Sequence, residues 1–262
     1  MRHGVARRPP NNGFVGGCDH EFFRRIDTEA KAYFLGAMGG DGCVSRSNEI
    51  IFALKASDCA LVEAFREALK ARPDWSDAHL NLSIALSHMN DPTGSAEEAQ
   101  AVLHITPNSP EAHFALASAW LRMGKEQEGT KELQEALRDK PEYAEARLAL
   151  ADAFARSGQI ADAIANYREY LRLNPKDAVA HVDLANSLLK SKQFNPAIQE
   201  YEEALRLEPA EPITHYNFGV ALEAAGDKAR ARQEYDAYLQ LDPSAPDSIE
   251  LRKHMHELAA KK

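Results

Sequence analysis

Cysteine is scarce in this sequence and confined to one end of it. The 262 residues contain three cysteines, Cys18, Cys43 and Cys59, all in the first quarter of the chain. No two of them have CxxC spacing, and their odd number does not suit a complete disulfide framework. We interpret them as free thiols of a reducing compartment rather than as a metal site.

Long hydrophobic runs are also missing. A membrane-spanning helix needs about 20 consecutive apolar residues, and every apolar stretch here is interrupted by polar or charged residues well before that length. The first ten residues carry Arg2, Arg7 and Arg8, but no apolar segment with a small-residue cleavage site follows them. We therefore expect no membrane helix and no secretory signal, and a cytoplasmic location.

Positive charge is the third shortage. The chain has a formal net charge of −9, and residues 73–262 contain 20 Lys and Arg against 31 Asp and Glu, a net charge of −11. Bulk electrostatics therefore do not favour nucleic-acid binding by this long segment. The sequence also contains no Ser/His/Asp triad, phosphate-binding loop or metal-binding motif, so we expect neither enzymatic activity nor a cofactor.

Proline, in contrast, is placed with a strict period of 34 residues. The prolines in this register are Pro73, Pro107, Pro141, Pro175, Pro209 and Pro243. Between them an apolar helix, a break often marked by glycine, and a second amphipathic helix recur, and the proline ends the second helix because its ring cannot continue it. The pattern predicts five helical hairpins, at 76–109, 110–143, 144–177, 178–211 and 212–245.

Large and small side chains alternate at fixed places within these repeats. The seventh place is large and apolar, whereas the eighth and twentieth places are small, and the twenty-fourth place is leucine or tyrosine in four repeats. This alternation indicates two helices that approach closely and interdigitate. Ser109-Pro110 and Asn195-Pro196 are predicted to begin helices, and Ser95 with Glu98 has capping-box spacing.

The spacing of Leu184, Ala185, Ala197, Tyr201 and Pro209 resembles the tetratricopeptide repeat (TPR). The resemblance implies a mainly all-α fold over 76–245, a TPR superhelix (α-solenoid) whose first helices line a concave groove that binds peptides or partner proteins. The segment 58–75 is predicted to be a shared helix that acts as a half-repeat cap. The segment 246–262 is predicted to be a terminal capping helix, with Ile249, Leu251, Met255 and Leu258 on its apolar side.

The groove of such an array has candidate binding residues at the fifth, ninth and thirteenth places. They are Leu80, Phe114, Ser118, Arg122, Leu148, Asp152, Arg156, Val182, Asn186, Lys190 and Tyr216. The cations at the thirteenth place have an alternative role, because they lie in the last turn of a helix and complement its dipole. The histidines at the fourth place are interpreted as packing residues, since stacked helices 8–10 Å apart are too distant to share one zinc ion.

The N-terminal residues do not follow the period. Residues 1–18 are rich in glycine, proline and asparagine, which predicts a disordered arm. Residues 19–57 are predicted to form a small α/β piece that, with the following helix, gives a helix, a β-hairpin and a helix. Within it, the segment 32–44 is similar to the LAGLIDADG motif of homing endonucleases, and the resemblance implies that Asp41 is a ligand for catalytic Mg²⁺. The likeness ends near Leu69, so this half-domain is truncated.

Two hypotheses of different classes follow. The first is a protein interaction scaffold that binds a peptide or partner protein in the groove, as a monomer, without DNA, membrane or cofactor. The alternative is a metal-dependent DNA endonuclease related to the LAGLIDADG family and inactivated by truncation. We favour the scaffold, because far more of the chain specifies the repeats than specifies the incomplete nuclease piece.

Overall fold

The computed structural model describes residues 58–260, and within that range the chain forms twelve α-helices and no strand. The predicted arm at 1–18 and the predicted α/β piece at 19–57, which includes Asp41, lie outside the described residues. The described chain divides into two compact units, here called the N-terminal unit (58–141) and the C-terminal unit (142–260). The predicted all-α repeat fold is confirmed for both.

The N-terminal unit contains five helices that pack in chain order. They are α1 (Asp58–Ala71), α2 (Ser76–His88), α3 (Pro92–Ile105), α4 (Pro110–Arg122) and α5 (Glu126–Asp139). The first helices of successive repeats, α2 and α4, also contact each other. Each helix is therefore covered by its neighbours along the chain, as in a solenoid.

The C-terminal unit continues the same pattern with seven helices. They are α6 (Ala144–Ser157), α7 (Ile160–Leu173), α8 (Ala178–Lys190), α9 (Phe194–Leu207), α10 (Pro212–Ala225), α11 (Lys228–Leu241) and α12 (Ser248–Ala260). Consecutive helices pack against each other, and the first helices α8 and α10 touch as α2 and α4 do. The even-numbered helices α6, α8 and α10 are thus the first helices of three repeats.

Helix α1 covers the apolar face of the first hairpin. Val62 and Phe65 of α1 are buried in one cluster with Leu82 and Leu86 of α2, and Trp75 packs against the same cluster. Removing these side chains from water stabilises the end of the array by an amount that grows with the apolar area buried. Helix α1 therefore buries the apolar face of α2, as the preceding repeat does for the first helix of a later repeat.

The predicted alternation of large and small residues forms the interior of each hairpin. A Cβ atom added at Gly219 of α10 would lie 2.5 Å from the Tyr235 ring of α11, and one added at Gly129 would lie 2.6 Å from the Leu121 side chain. The alanines at the corresponding places, such as Ala185, are completely buried. The two helices of a hairpin therefore approach until a small residue on one meets a large side chain on the other.

The predicted helix starts are only partly correct. Ser109 does cap α4, accepting a hydrogen bond from the Ala112 amide at 3.2 Å, with Pro110 at the first helical position. Helix α9, however, begins at Phe194, and Pro196 lies within its first turn. A proline is tolerated there because the first-turn amides have no partner inside the helix.

Helix α3 also begins earlier than its capping-box spacing indicates. Its N-cap is Asp91, whose carboxylate accepts the Gly94 amide at 2.9 Å, with Pro92 at the first helical position. Ser95 lies inside the helix, and its hydroxyl is 3.1 Å from that of Ser83. The aspartate and proline pair is the stronger start signal, since aspartate is among the best N-cap residues.

The terminal helix α12 is amphipathic as predicted, with one exception. Leu251, Met255 and Leu258 are buried, but Ile249 is 82% exposed. Ile249 lies in the first turn of α12, one residue after its start, and faces away from the buried side. The apolar stripe of the cap therefore begins at Leu251.

The turn between the two helices of each repeat needs a left-handed residue at the fifteenth place. Gly124, Gly158 and Gly226 have φ between 77° and 91°, but Asn90 and Lys192 occupy the same place with φ of 63° and 62°. A residue with a Cβ atom pays roughly 1–2 kcal/mol for this conformation, whereas glycine does not. The first and fourth repeats therefore carry local backbone strain.

We predict that Lys192→Gly raises the free energy of unfolding by about 0.5–1 kcal/mol, because relief of strain exceeds the entropy that glycine adds to the unfolded chain. The reverse change, Gly158→Ala, should cost about 1 kcal/mol, because no atom lies within 4 Å of the added Cβ and only the conformation opposes it. Urea-unfolding midpoints measure both. A destabilising Lys192→Gly would contradict this account of the turn.

Candidate functional site

The fifth place of every repeat carries an apolar side chain that is partly exposed. In the N-terminal unit these are Leu80 and Phe114, and in the C-terminal unit they are Leu148, Val182 and Tyr216. The neighbouring seventh place is buried in all five repeats. Because the fifth and seventh places point in different directions around a helix, each first helix has a core face and a second apolar face that reaches solvent.

The polar candidates of the N-terminal unit are engaged within that unit. The Ser118 hydroxyl donates to the Phe114 carbonyl at 2.8 Å. The Arg122 guanidinium donates to the Ser87 carbonyl at 2.7 Å and to Asn90 Oδ1 at 2.5 Å. Arg122 thus caps the carboxyl end of the preceding first helix, α2.

The polar candidates of the C-terminal unit are held by tyrosines of the second helices. The Tyr167 hydroxyl donates to Asp152 Oδ1, and the Tyr201 hydroxyl donates to Asn186 Oδ1, both at 2.6 Å. Each tyrosine lies fifteen residues after its partner, at the buried twenty-fourth place. The side chains of the candidate residues Asp152 and Asn186 are therefore held in position by tyrosines of the hairpin core.

Burial changes the ionisation of this pair of groups. Loss of hydration is the largest influence on Asp152 and raises its pKa, while the Tyr167 hydrogen bond and the charge of Arg156 partly offset this effect. Burial likewise raises the pKa of Tyr167, with a further contribution from the charges of Asp152 and Asp183. Tyr167 therefore remains a hydrogen-bond donor across the physiological pH range.

The last repeat replaces this arrangement with a link to the terminal helix. Glu223 Oε2 accepts from the Tyr235 hydroxyl at 3.1 Å and lies 2.8 Å from His254 Nε2 of α12. Tyr216, at the fifth place, packs edge-on against Tyr238 with ring centroids 5.3 Å apart. The cap helix is thus joined to the last hairpin by a polar contact as well as by its apolar stripe.

A cavity of about 240 Å³ opens on the C-terminal unit beside these residues. Its lining comes from α6 and from α7 with the residue that follows it, namely Ala144, Glu145, Leu148, Ala149, Asp152, Tyr170 and Asn174. It therefore includes two of the predicted groove residues, Leu148 and Asp152. The structure brings these two together at one cavity.

The histidines at the fourth place have a role beyond packing. The Nδ1 atom of His215 lies 2.7 Å from Glu234 Oε2, and its Nε2 atom lies 3.0 Å from the Pro209 carbonyl oxygen. A doubly protonated imidazole donates to both oxygens and ties together the first helix, the second helix and the preceding turn. The same pair of contacts recurs at His79, His113 and His181.

The third repeat replaces both members of the pair. Arg147 occupies the fourth place, and its guanidinium contacts Asn166 Oδ1 at 3.4 Å. The partner lies nineteen residues after the fourth place in every repeat, and it is glutamate wherever the fourth place is histidine. This joint change was a sequence signal for the contact. No group of acidic, histidine or cysteine side chains in the described range could hold a metal ion.

We predict that Glu234→Gln weakens the protein more at about pH 5.5 than at about pH 8.5. The hydrogen bond that His215 donates to Glu234 is the largest cause that raises the pKa of His215 above its usual value. The stability from a raised histidine pKa is complete below the unfolded value of about 6.5 and is lost as the pH rises through the folded value. The midpoint of urea unfolding at both pH values gives the measurement.

Glu250→Gln, on an exposed part of α12, is the matched control and should show no such dependence. The other three histidine pairs are present in both proteins, so their effect cancels in the comparison. A loss that is equal at the two pH values, or larger at the higher one, would show that His215 does not donate to both oxygens.

Comparisons with known proteins agree with this geometry. The family model described as "Tetratricopeptide repeat" matches residues 182–246, and the model "Bacterial transcriptional activator domain" matches residues 58–177. No protein in the curated set matches the chain significantly. The described residues therefore have the helical-repeat fold of tetratricopeptide-repeat structures, and the first of these family models matches the part at 182–246.

Solved structures share this fold at low sequence identity. YrrB, a TPR protein with an unusual peptide-binding site, is 17% identical with a TM-score of 0.68, covering 73% of this chain and 99% of its own. MamA from Desulfovibrio magneticus RS-1 is 18% identical with a TM-score of 0.61, covering 65% and 97%. PilF of Pseudomonas aeruginosa is 20% identical with a TM-score of 0.62, covering 72% and 86%.

In the part of the chain that the structure describes, every helix is too short or too polar to cross a membrane. Neither family match reaches residues 1–57, so the LAGLIDADG resemblance gains no support from them.

Proposed function

We propose that this chain is a protein interaction scaffold that holds an extended peptide segment of a partner against the first helices of its C-terminal unit. The observation that carries the proposal is the row of partly exposed apolar side chains at one repeat place, Leu148, Val182 and Tyr216. A row with regular spacing suits an extended ligand, whose side chains also recur at regular intervals. Asp152 and Asn186 lie on the same helices and supply polar contacts.

The side chains of Asp152 and Asn186 are already held in one orientation in the absence of a ligand. Tyr201 binds Oδ1 of Asn186, which directs the amide nitrogen of that side chain the other way. Tyr167 holds one oxygen of Asp152 and leaves the charge of the carboxylate in place. Groups that are already ordered lose little conformational entropy on binding, so they contribute more of their interaction energy to affinity.

In the N-terminal unit, Leu80 and Phe114 hold the fifth place and Ser118 holds the ninth. Arg156 and Lys190 hold the thirteenth place in the C-terminal unit, and we include all five residues as candidate contacts. Arg122 holds the thirteenth place in the N-terminal unit, where its guanidinium bridges Ser87 and Asn90. The fold shared with YrrB supports a binding role, but an identity of 17% carries the fold only. We further propose that the chain acts as a monomer, without a cofactor.

The test is selection of peptides from a phage-displayed library on the full chain, followed by affinity measurements with synthetic peptides. We predict that the double change Leu148→Ala with Val182→Ala weakens binding by about 1–3 kcal/mol, because both side chains lose apolar contact area. Leu241→Ala is the matched control, since Leu241 is 42% exposed on the second helix α11. The Leu241→Ala variant should bind the selected peptides with the same affinity as the wild type.

Circular dichroism must show intact helices in all variants. Selected peptides that bind the double variant as well as the wild type would place the binding surface elsewhere. Failure to select any peptide that binds would contradict a peptide-binding role for this face.

The alternative of a DNA endonuclease rests on the LAGLIDADG resemblance over about 19–69, with its motif at 32–44. We predict that the protein with Mg²⁺ does not cleave DNA, because paired carboxylates are needed to hold the metal ions and Asp41 is a single one. The assay is incubation of supercoiled DNA with the purified full chain and Mg²⁺. Cleavage that requires the metal and disappears in Asp41→Asn would overturn the prediction.

A further inference from the structure

The cavity on the C-terminal unit has apolar walls and a polar rim. Ala144, Leu148 and Ala149 of α6 line it together with Tyr170 of α7, and Glu145, Asp152 and Asn174 add polar atoms. Tyr170 is buried, and its hydroxyl donates to Asp177 Oδ2 at 2.7 Å, which fixes its position. The cavity is therefore built from ordered groups of a single hairpin.

The volume of the cavity limits what it can hold. Sites for complete small molecules usually measure about 300–1,000 Å³, and a water molecule occupies about 30 Å³. At about 240 Å³, this cavity is smaller than those sites and suits one long side chain. A side chain that projects from a peptide along the fifth-place row would reach it, because Leu148 belongs to both the row and the cavity lining.

The charge at the cavity is predominantly negative. Burial is the largest cause that raises the pKa of Tyr170, and the hydrogen bond to Asp177 and the charges of Asp177, Glu145 and Asp152 raise it further. Asp152 accepts a hydrogen bond from the neutral Tyr167 hydroxyl and keeps its negative charge, whereas Asp177 also accepts the Ala180 amide and caps α8. The one cation that acts on Asp152 in the described structure is Arg156. Among the residues that line the cavity, Glu145 and Asp152 are thus acidic and none is basic.

We propose that this cavity receives a lysine or arginine side chain of the bound peptide. The inference rests on the proposed peptide-binding function and specifies the chemistry of the partner. The aliphatic stem of the incoming residue packs on Leu148, Ala149 and the Tyr170 ring, as long basic side chains do on apolar surfaces. Its charged end lies between Glu145 and Asp152, where a cation relieves the cost of the partly desolvated carboxylate.

The net charge of −11 on residues 73–262 supports the same chemistry at long range. An array of this sign attracts a basic segment and repels an acidic one before contact. The partner is therefore an extended peptide with at least one basic residue flanked by apolar residues, and an acidic peptide is excluded by the same electrostatics.

The experiment uses the full chain and the phage-selected peptides. Each selected peptide is synthesised with its lysines and arginines, and again with norleucine at those positions, which keeps the stem and removes the charge. Affinities are measured by fluorescence polarisation for the wild type and for Glu145→Gln with Asp152→Asn, which keeps the shapes and an oxygen acceptor for Tyr167. Asp162→Asn, exposed at the start of α7, is the matched control.

We expect selected peptides to be enriched in lysine and arginine. For the basic peptide, the double variant should bind at least about ten times more weakly than the wild type, which corresponds to about 1.4 kcal/mol. The norleucine peptide should bind the two proteins equally, and Asp162→Asn should behave as the wild type. The preference for the basic peptide should also fall at high salt.

Two different failures are distinguishable. Peptides that depend on Leu148 and Val182 but contain no basic residue, or that bind the double variant unchanged, would overturn this inference and leave the binding function intact. If no peptide is selected at all, the proposed function fails and this inference fails with it.

Discussion

The close approach of two helices at small residues is the constraint on which the rest of this structure depends. Gly219 faces the Tyr235 ring, and a single added carbon would lie 2.5 Å from it. The last three hairpins can bury a tyrosine ring at the twenty-fourth place only because the opposite helix offers alanine or glycine at the eighth place. The 34-residue period follows, because each new pair of helices must present the same small and large places to the next.

This packing also reaches the candidate binding face. Tyr167 and Tyr201 fill the hairpin interiors with their rings, and their hydroxyls emerge beneath Asp152 and Asn186. A single residue type at one place therefore fills the core and orients a polar group on the outer face. Substitution of these tyrosines by leucine would keep most of the apolar volume but release the groove residues from their fixed positions.

The repeat fold was predictable because it depends on periodic signals. Six prolines in register and the small and large places define the hairpins before any coordinate is known. The start of α9 was not predictable from Asn195-Pro196, because a proline is equally acceptable at any of the first-turn positions. The contact between His215 and Glu234 was predictable in principle, since four repeats place histidine and glutamate nineteen residues apart, but one repeat read alone shows no relation between them.

The candidate site was less predictable, because the sequence gives the place of a charge but not its partners. Arg122, Arg156 and Lys190 occupy equivalent places, so spacing alone treats them as one cationic row. Arg122 nevertheless bridges Ser87 and Asn90, a pair found only in the first repeat. At the third repeat, the charge of Arg156 acts on Asp152, and the carboxylates of Asp152 and Glu145 both line the cavity. The electrostatic character of a repeat face is therefore set by contacts with neighbouring elements, and equivalent places in a regular array can differ in the ligand charge that they favour.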